Sequence, residues 1–265
     1  MGLSNTICIG IAGNFAHHLE QAGELEDFKE VKTKEANEPK GIFPFYLPNS
    51  ECFLGTYCIG EDNLHLPSCN SNAQVEPEIG IKFDIEYAKD FSVKNIYPKS
   101  FSVFNDCTIR KEGANKISEK KNWGENSKGL ATKWIEIDKF ESGGVMDNYH
   151  LCSFVKRDGI LQEYGVDAPL IGYSYFYGKL KEWLIDKLNN QEDFGPLEDI
   201  SKHIKNCNYP KELFVTIGAT AYAEFGEKNY LKSGDEVYVI AYDKRFSKNN
   251  LDPSEDKIIL KQKVI

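Results

Sequence analysis

Short apolar runs with β-forming residues recur along almost the whole chain, and they constrain its architecture more than anything else in it. ICIGIAG, GIFPFYLP, CFLGTYCI, EPEIGIKFDIEY, SFSVFND, KWIEIDKF, YHLCSFVKRDG, LFVTIG, EVYVIAYD and IILKQKVI follow one another between turn-forming residues. Each reads as a strand, and Pro44 and Pro48 limit the pairing of the second. A few stretches between them, chiefly GYSYFYGKLKEWLIDKLNN and GPLEDISKHIKN, carry apolar residues every three or four positions as helices do. NFAHHLEQAGELEDF suits a short helix or a loop. Strands and helices do not alternate as in a doubly wound parallel fold, so the class is α+β dominated by strands. With 265 residues and no internal repeat or linker, one domain is expected over 1–265.

Composition narrows the partners. A net charge of −9 disfavours nucleic acid, whose phosphates are bound by clustered Lys and Arg. The basic run from Lys111 to Lys128 is interrupted by Glu112, Glu119 and Glu125 and reads as a solvated loop. No apolar stretch approaches the length of about 20 residues needed to span a bilayer, so no membrane partner is expected. Gly2 to Thr6 matches a myristoylation site only loosely. Seven scattered cysteines, with no Cys-x-x-Cys pair, suit reduced thiols in a cytoplasmic protein.

One strand raises a physical problem. In QVEPEIGI, residues 74–81, alternation sets Glu76, Glu78 and Gly80 on one face and Val75, Ile79 and Ile81 on the other. Neighbouring carboxylates repel unless water or a cation lies between them. An exposed strand face with two solvated acids also fits the spacing taken alone. Further on, FNDCTIR ends a strand at Asn105 and presents Asp106 and Arg110, and KNWGENSKGLATKWIEIDKF sets Lys128 at the head of another strand.

In this order, the Glu-x-Glu pair, Asn-Asp-x-x-x-Arg and the strand-leading Lys resemble the fumarylacetoacetate hydrolase family. GIAGNFAHHLE, NEPKGIFPFYLP, and LFVTIGATAYAEFG followed by LKSGDEVYV extend the resemblance over residues 7 to 240. It implies a mixed β-roll or β-sandwich with a few peripheral helices, a lid carried by residues 1–60 and a metal-site β-roll over 61–265, assembled as a homodimer. Glu76, Glu78 and Asp106 are then metal ligands. An all-oxygen set suits Mg2+ or Mn2+, with Ca2+ a substitute in crystals.

The implied activity is hydrolysis or lysis of a C–C bond in a small 2-oxo or 1,3-diketo acid of the acylpyruvate, fumarylacetoacetate or oxaloacetate type. Lys128 would stabilise charge at the substrate, with Arg110 and Thr220 binding it. His18 corresponds to the family's catalytic histidine, with Glu20 as its candidate carboxylate. The family's His-x-x-Glu becomes His18-Leu19-Glu20-Gln21, so the dyad has moved to His17 and Glu20, or Glu24 replaces it, or hydrolysis is lost. A purely structural histidine is equally open. Ile217 stands where the family carries a substrate-facing Thr, and Thr220 where it carries Pro. A member that binds metal and an oxo acid without turnover is the alternative.

Overall fold

The computed structural model of the chain describes residues 3–15, 18–68, 72–111, 113–245 and 257–265. Among the described residues the strands are β1 (Ile7–Ala12), β2 (Gly41–Tyr46), β3 (Ile59–Gly60), β4 (Asn63–Leu64), β5 (Asn72–Gln74), β6 (Pro77–Tyr87), β7 (Val93–Asn105), β8 (Thr108–Arg110), β9 (Lys128–Leu130), β10 (Ile135–Glu136), β11 (Tyr149–Arg157), β12 (Ile160–Pro169), β13 (Glu212–Thr216), β14 (Glu236–Asp243) and β15 (Lys257–Val264). The α-helices are α1 (His18–Gln21), α2 (Tyr177–Asn190), α3 (Ile200–Asn206) and α4 (Glu224–Lys228).

The larger sheet runs β2-β1-β13-β6-β7-β9-β3, with β10 added to β7, and the second runs β12-β11-β14-β15-β4. Both are mixed: β1 lies parallel to β13 and β15 parallel to β4, among antiparallel neighbours. Ile79, Ile81 and Val103 from the first sheet share one core with Leu151, Val155, Val239 and Leu260 from the second. The opposite face of the first sheet carries an aromatic cluster of Phe43, Phe45, Phe104 and Phe214. Gly80 is required there, because a Cβ would lie 2.2 Å from the Phe214 ring. Amphipathic α2 buries Leu180, Trp183, Leu184 and Leu188 into the main core.

The strand-rich α+β expectation holds, with local differences. CFLGTYCI forms a 3-10 turn at Phe53–Gly55 and pairs only at Ile59–Gly60. The chain turns too tightly for a strand there, since a Cβ on Gly55 would sit 1.9 Å from the Ser50 carbonyl oxygen. KWIEIDKF contributes only β10, two residues paired with Phe101 and Ser100. The unanticipated β12 is mostly exposed or half-exposed and joins β11 through Asp158 and Gly159, both at positive φ. Its sequence signal was the Asp-Gly pair, which suits a tight hairpin.

Candidate active site

The acids meet because two antiparallel strands end together. Pro77 pairs with Asn105, so Glu76 and Asp106 lie side by side just beyond the ladder, and Asp106 N donates to Glu76 O at 2.9 Å. Asn105 braces the corner: its Oδ1 accepts from Glu76 N at 3.3 Å and its Nδ2 donates to Gln262 Oε1 at 3.0 Å. Glu78 follows two residues on. All three carboxylates are buried, and one oxygen from each lies within 4.8 Å of the others. Two solvated acids on an exposed strand face are therefore excluded.

Two buried lysines and the half-buried Arg110 answer them. Lys128 is fully buried; its Nζ lies 3.0 Å from Asp106 Oδ1 and donates to the Cys107 carbonyl. Arg110 spreads its guanidinium over Gln74 (2.6 Å), Glu24 (2.9 Å), Glu76 (3.2 Å) and the Tyr222 hydroxyl (2.9 Å). The third, Lys121, was missed in sequence because it lies in the run read as a solvated loop. It is 3% exposed, and its Nζ is 2.5 Å from both Glu76 Oε2 and Asp106 Oδ2. No periodicity marks it, because it caps a 3-10 turn, Ile117–Lys120.

Electrostatics divides the two glutamates. Burial opposes the charge of Glu76, but Lys121, His18 and Arg110 outweigh it and hold its carboxyl well below the usual range. Burial pushes Glu78 well above that range, and the charges of Asp106 and Glu76 add to the shift. Lys121 is raised although burial opposes it, because Asp106 and Glu76 face it.

His18 is buried on α1, with Nδ1 3.0 Å from the Thr220 carbonyl oxygen. Since a carbonyl only accepts, Nδ1 donates to it, which turns the other ring nitrogen, Nε2, towards the acid cluster, 3.7 Å from Glu76 Oε1. The carboxylate nearest His18 Nε2 is thus Glu76, while Glu20 is exposed and His17 lies outside the described residues. Gln21 uses its amide to hold Tyr222, accepting from its N at 2.8 Å and donating to its O at 3.3 Å. Glu24 borders the cavity and pairs with Arg110.

The IGAT segment works through its backbone. Gly218 N donates to Glu78 Oε2 at 2.8 Å, with Gly218 at φ 108°, while the Ile217 side chain is buried in the core. Thr220 is buried, and its carbonyl rather than its hydroxyl meets His18. His18, Glu24, Phe43, Glu76, Glu78 and Lys121 help enclose a cavity of about 20 Å3, space for about one water. Glu24 also borders an outer cleft of about 450 Å3 lined by Arg110, Lys120 and Asp27.

The residues fit a divalent cation. Three buried carboxylates offer hard oxygen donors, and the Lys121 ammonium already stands as a cation between two of them. No cysteine is among the donors, so the set favours Mg2+ or Mn2+ over Zn2+.

Solved structures share this fold. A candidate fumarylacetoacetate isomerase/hydrolase from Oleispira antarctica superposes with TM-score 0.57 at 12% identity, covering 98% of this chain and 93% of that one. A 5-carboxymethyl-2-hydroxymuconate delta-isomerase from Mycobacterium smegmatis gives 0.53 at 16%, covering 98% and 78%. A 2-keto-3-deoxy-D-arabinonate dehydratase complexed with magnesium and 2,5-dioxopentanoate gives 0.55 at 14%, covering 97% and 72%. The mixed sheets are therefore those of a fumarylacetoacetate hydrolase-type fold, built here around a buried triad of acids. Residues 24–263 match the model of a family described as one of unknown function, DUF5718, and the chain belongs to that family. No curated protein matches it.

Proposed function

We propose that this protein is a divalent-metal-dependent enzyme that cleaves a C–C bond in a small 2-oxo or 1,3-diketo acid. The convergence of Glu76, Glu78 and Asp106 at a cavity faced by His18 Nε2 carries the reading. The dehydratase of the same fold, complexed with magnesium and 2,5-dioxopentanoate, supports the metal and the oxo-acid substrate class.

In this reading Glu76, Glu78 and Asp106 hold Mg2+ or Mn2+, which when bound would polarise the substrate carbonyl and favour an enolate. Lys128 fixes Asp106 and adds positive charge beside the site. His18, oriented by the Thr220 carbonyl at Nδ1, takes a proton from water at Nε2. Water adds to one carbonyl, the C–C bond breaks, its electron pair stays on the enolate fragment, and that carbon is then protonated. Arg110 draws the anionic substrate through the outer cleft; because its donors are already engaged, it acts mainly through its charge.

A second reading, binding without turnover, is favoured by the smallness of the inner cavity. Thermal unfolding with Mg2+ or Mn2+, then with oxalate as an enolate mimic, tests the site. A rise with metal that oxalate enlarges supports a bidentate centre, and no rise at saturating metal rejects it. Turnover of acylpyruvate-type and oxaloacetate-type acids then separates the two readings.

A further inference from the structure

The acid triad has a cation of its own, and that cation comes from the chain. Lys121 Nζ lies 2.5 Å from Glu76 Oε2 and 2.5 Å from Asp106 Oδ2, at the point where these oxygens converge. A Mg2+ ion bound to the same two oxygens would need about 2.0–2.1 Å to each. It would share the space that the ammonium fills. Two positive charges at such a separation in a buried site repel strongly, whatever the order in which they arrive.

The surrounding structure fixes where the Lys121 side chain begins and sets a further carboxylate in the same cavity. The backbone at Lys121 is anchored: its N donates to Ser118 O at 3.0 Å, and the Asn122 amide donates to Phe45 O at 2.9 Å and Thr56 O at 3.0 Å. The side chain crosses the Phe43 ring, with Nζ 5.2 Å from its centroid, and has four carbons about which to swing. The same small cavity holds another carboxylate, Glu24, which is partnered by Arg110 but offers a second negative pole to a displaced ammonium. Lys128, by contrast, is committed to Asp106 Oδ1 and the Cys107 carbonyl on the far side of the cluster.

We propose that Lys121 is a tethered counter-cation that competes with the divalent ion: its ammonium holds Glu76 and Asp106 together until a metal displaces it towards Glu24. This rests on the metal-dependent reading above and adds a control on it. Metal loading becomes an exchange of a built-in single charge for an external double one. The acid cluster is thereby kept folded and paired in the absence of metal, at the expense of metal affinity.

Calorimetric titration of Mn2+ into the full chain and into Lys121→Met tests the exchange. The neutral, similarly sized side chain removes the competitor, so the variant should bind Mn2+ about tenfold tighter or more. Equal or weaker binding by the variant, with Mn2+ bound by the wild type, overturns the exchange and leaves the metal centre standing. Binding by neither protein overturns the metal centre and the exchange with it. A measurement on the wild type guards against a variant that fails to fold. In 15N-lysine-labelled protein, saturating Mg2+ should move the Lys121 ammonium signal, and a signal unmoved in Mg2+-bound protein overturns the proposal.

Discussion

The backbone carbonyl of Thr220 accepts a hydrogen bond from His18 Nδ1 at 3.0 Å, and this contact decides which face of the imidazole meets the acid cluster. A side chain on a four-residue helix is thereby oriented by the loop after β13, some 200 residues away in sequence. The neighbouring Gln21 amide ties the same helix to Tyr222. An amide can grip a backbone N–H and a backbone carbonyl at once, whereas a carboxylate can only accept.

His18→Asn should therefore keep the link to Thr220 but lose the ring nitrogen facing Glu76. Turnover of any accepted oxo acid is expected to fall by about 10^2 to 10^4, the usual worth of general acid–base catalysis. The melting temperature should change little. Steady-state kinetics beside a thermal scan checks both halves, and undiminished turnover would remove His18 from the mechanism.

The two glutamates should respond oppositely to amide substitution in metal-free protein. Glu76→Gln leaves Lys121 and Arg110 short of a buried partner and is expected to cost about 3–5 kcal/mol. Glu78 is raised by burial and by its acidic neighbours, above the reference of about 4.3 for a free Glu. Across that window the folded protein holds a proton that the unfolded chain has lost, so stability falls as pH rises. Glu78→Gln should accordingly gain on the wild type in urea melts as pH rises from 4 to 7, while losing the Mn2+-induced shift.

Glu38 carries the ordinary sign. Burial opposes its charge, but the Lys34 N–H, the Trp183 indole N–H at 3.0 Å and Lys187 together hold its carboxyl below the usual range. The stabilisation is present above about pH 4.3 and is lost as pH falls through the lowered folded value. Glu38→Gln should cost about 2 kcal/mol at pH 7, the scale of a hydrogen bond to a charged group. Its unfolding midpoint should converge on that of the wild type in acid.

Gly129 pairs with Asn105 across β7 and β9, and a Cβ there would lie 2.2 Å from Gln262 Oε1. That oxygen accepts from Asn105, which braces Glu76. Gly129→Ala is expected to cost about 1–3 kcal/mol through overcrowding. It should also weaken Mn2+ binding, a loss that calorimetry would read separately from the melt.

Much of the fold was legible because its strands are long apolar runs bounded by turn residues, as in EPEIGIKFDIEY and EVYVIAYD. The short pieces at sheet edges were not, because β3 and β10 exist only through their neighbours. Tyr87 and Val93 close a hairpin that local sequence marks well, whereas β1 beside β13 joins residues about 200 apart. Loop closure over that distance leaves no local trace.

The acids of the candidate site could be read from sequence because a two-residue spacing on a strand dictates a shared face whatever the surroundings. Their burial, and therefore their need for positive charge, could not. Lys121 and Lys128 belong to one basic run with the same composition as a solvated loop, yet the first enters the acid cluster and the second is sealed beneath it. The local sequence determined the strands and the face that carries Glu76 and Glu78. Only the tertiary structure decided which lysine, which face of His18 and which backbone amide meet them, because those choices depend on long-range packing.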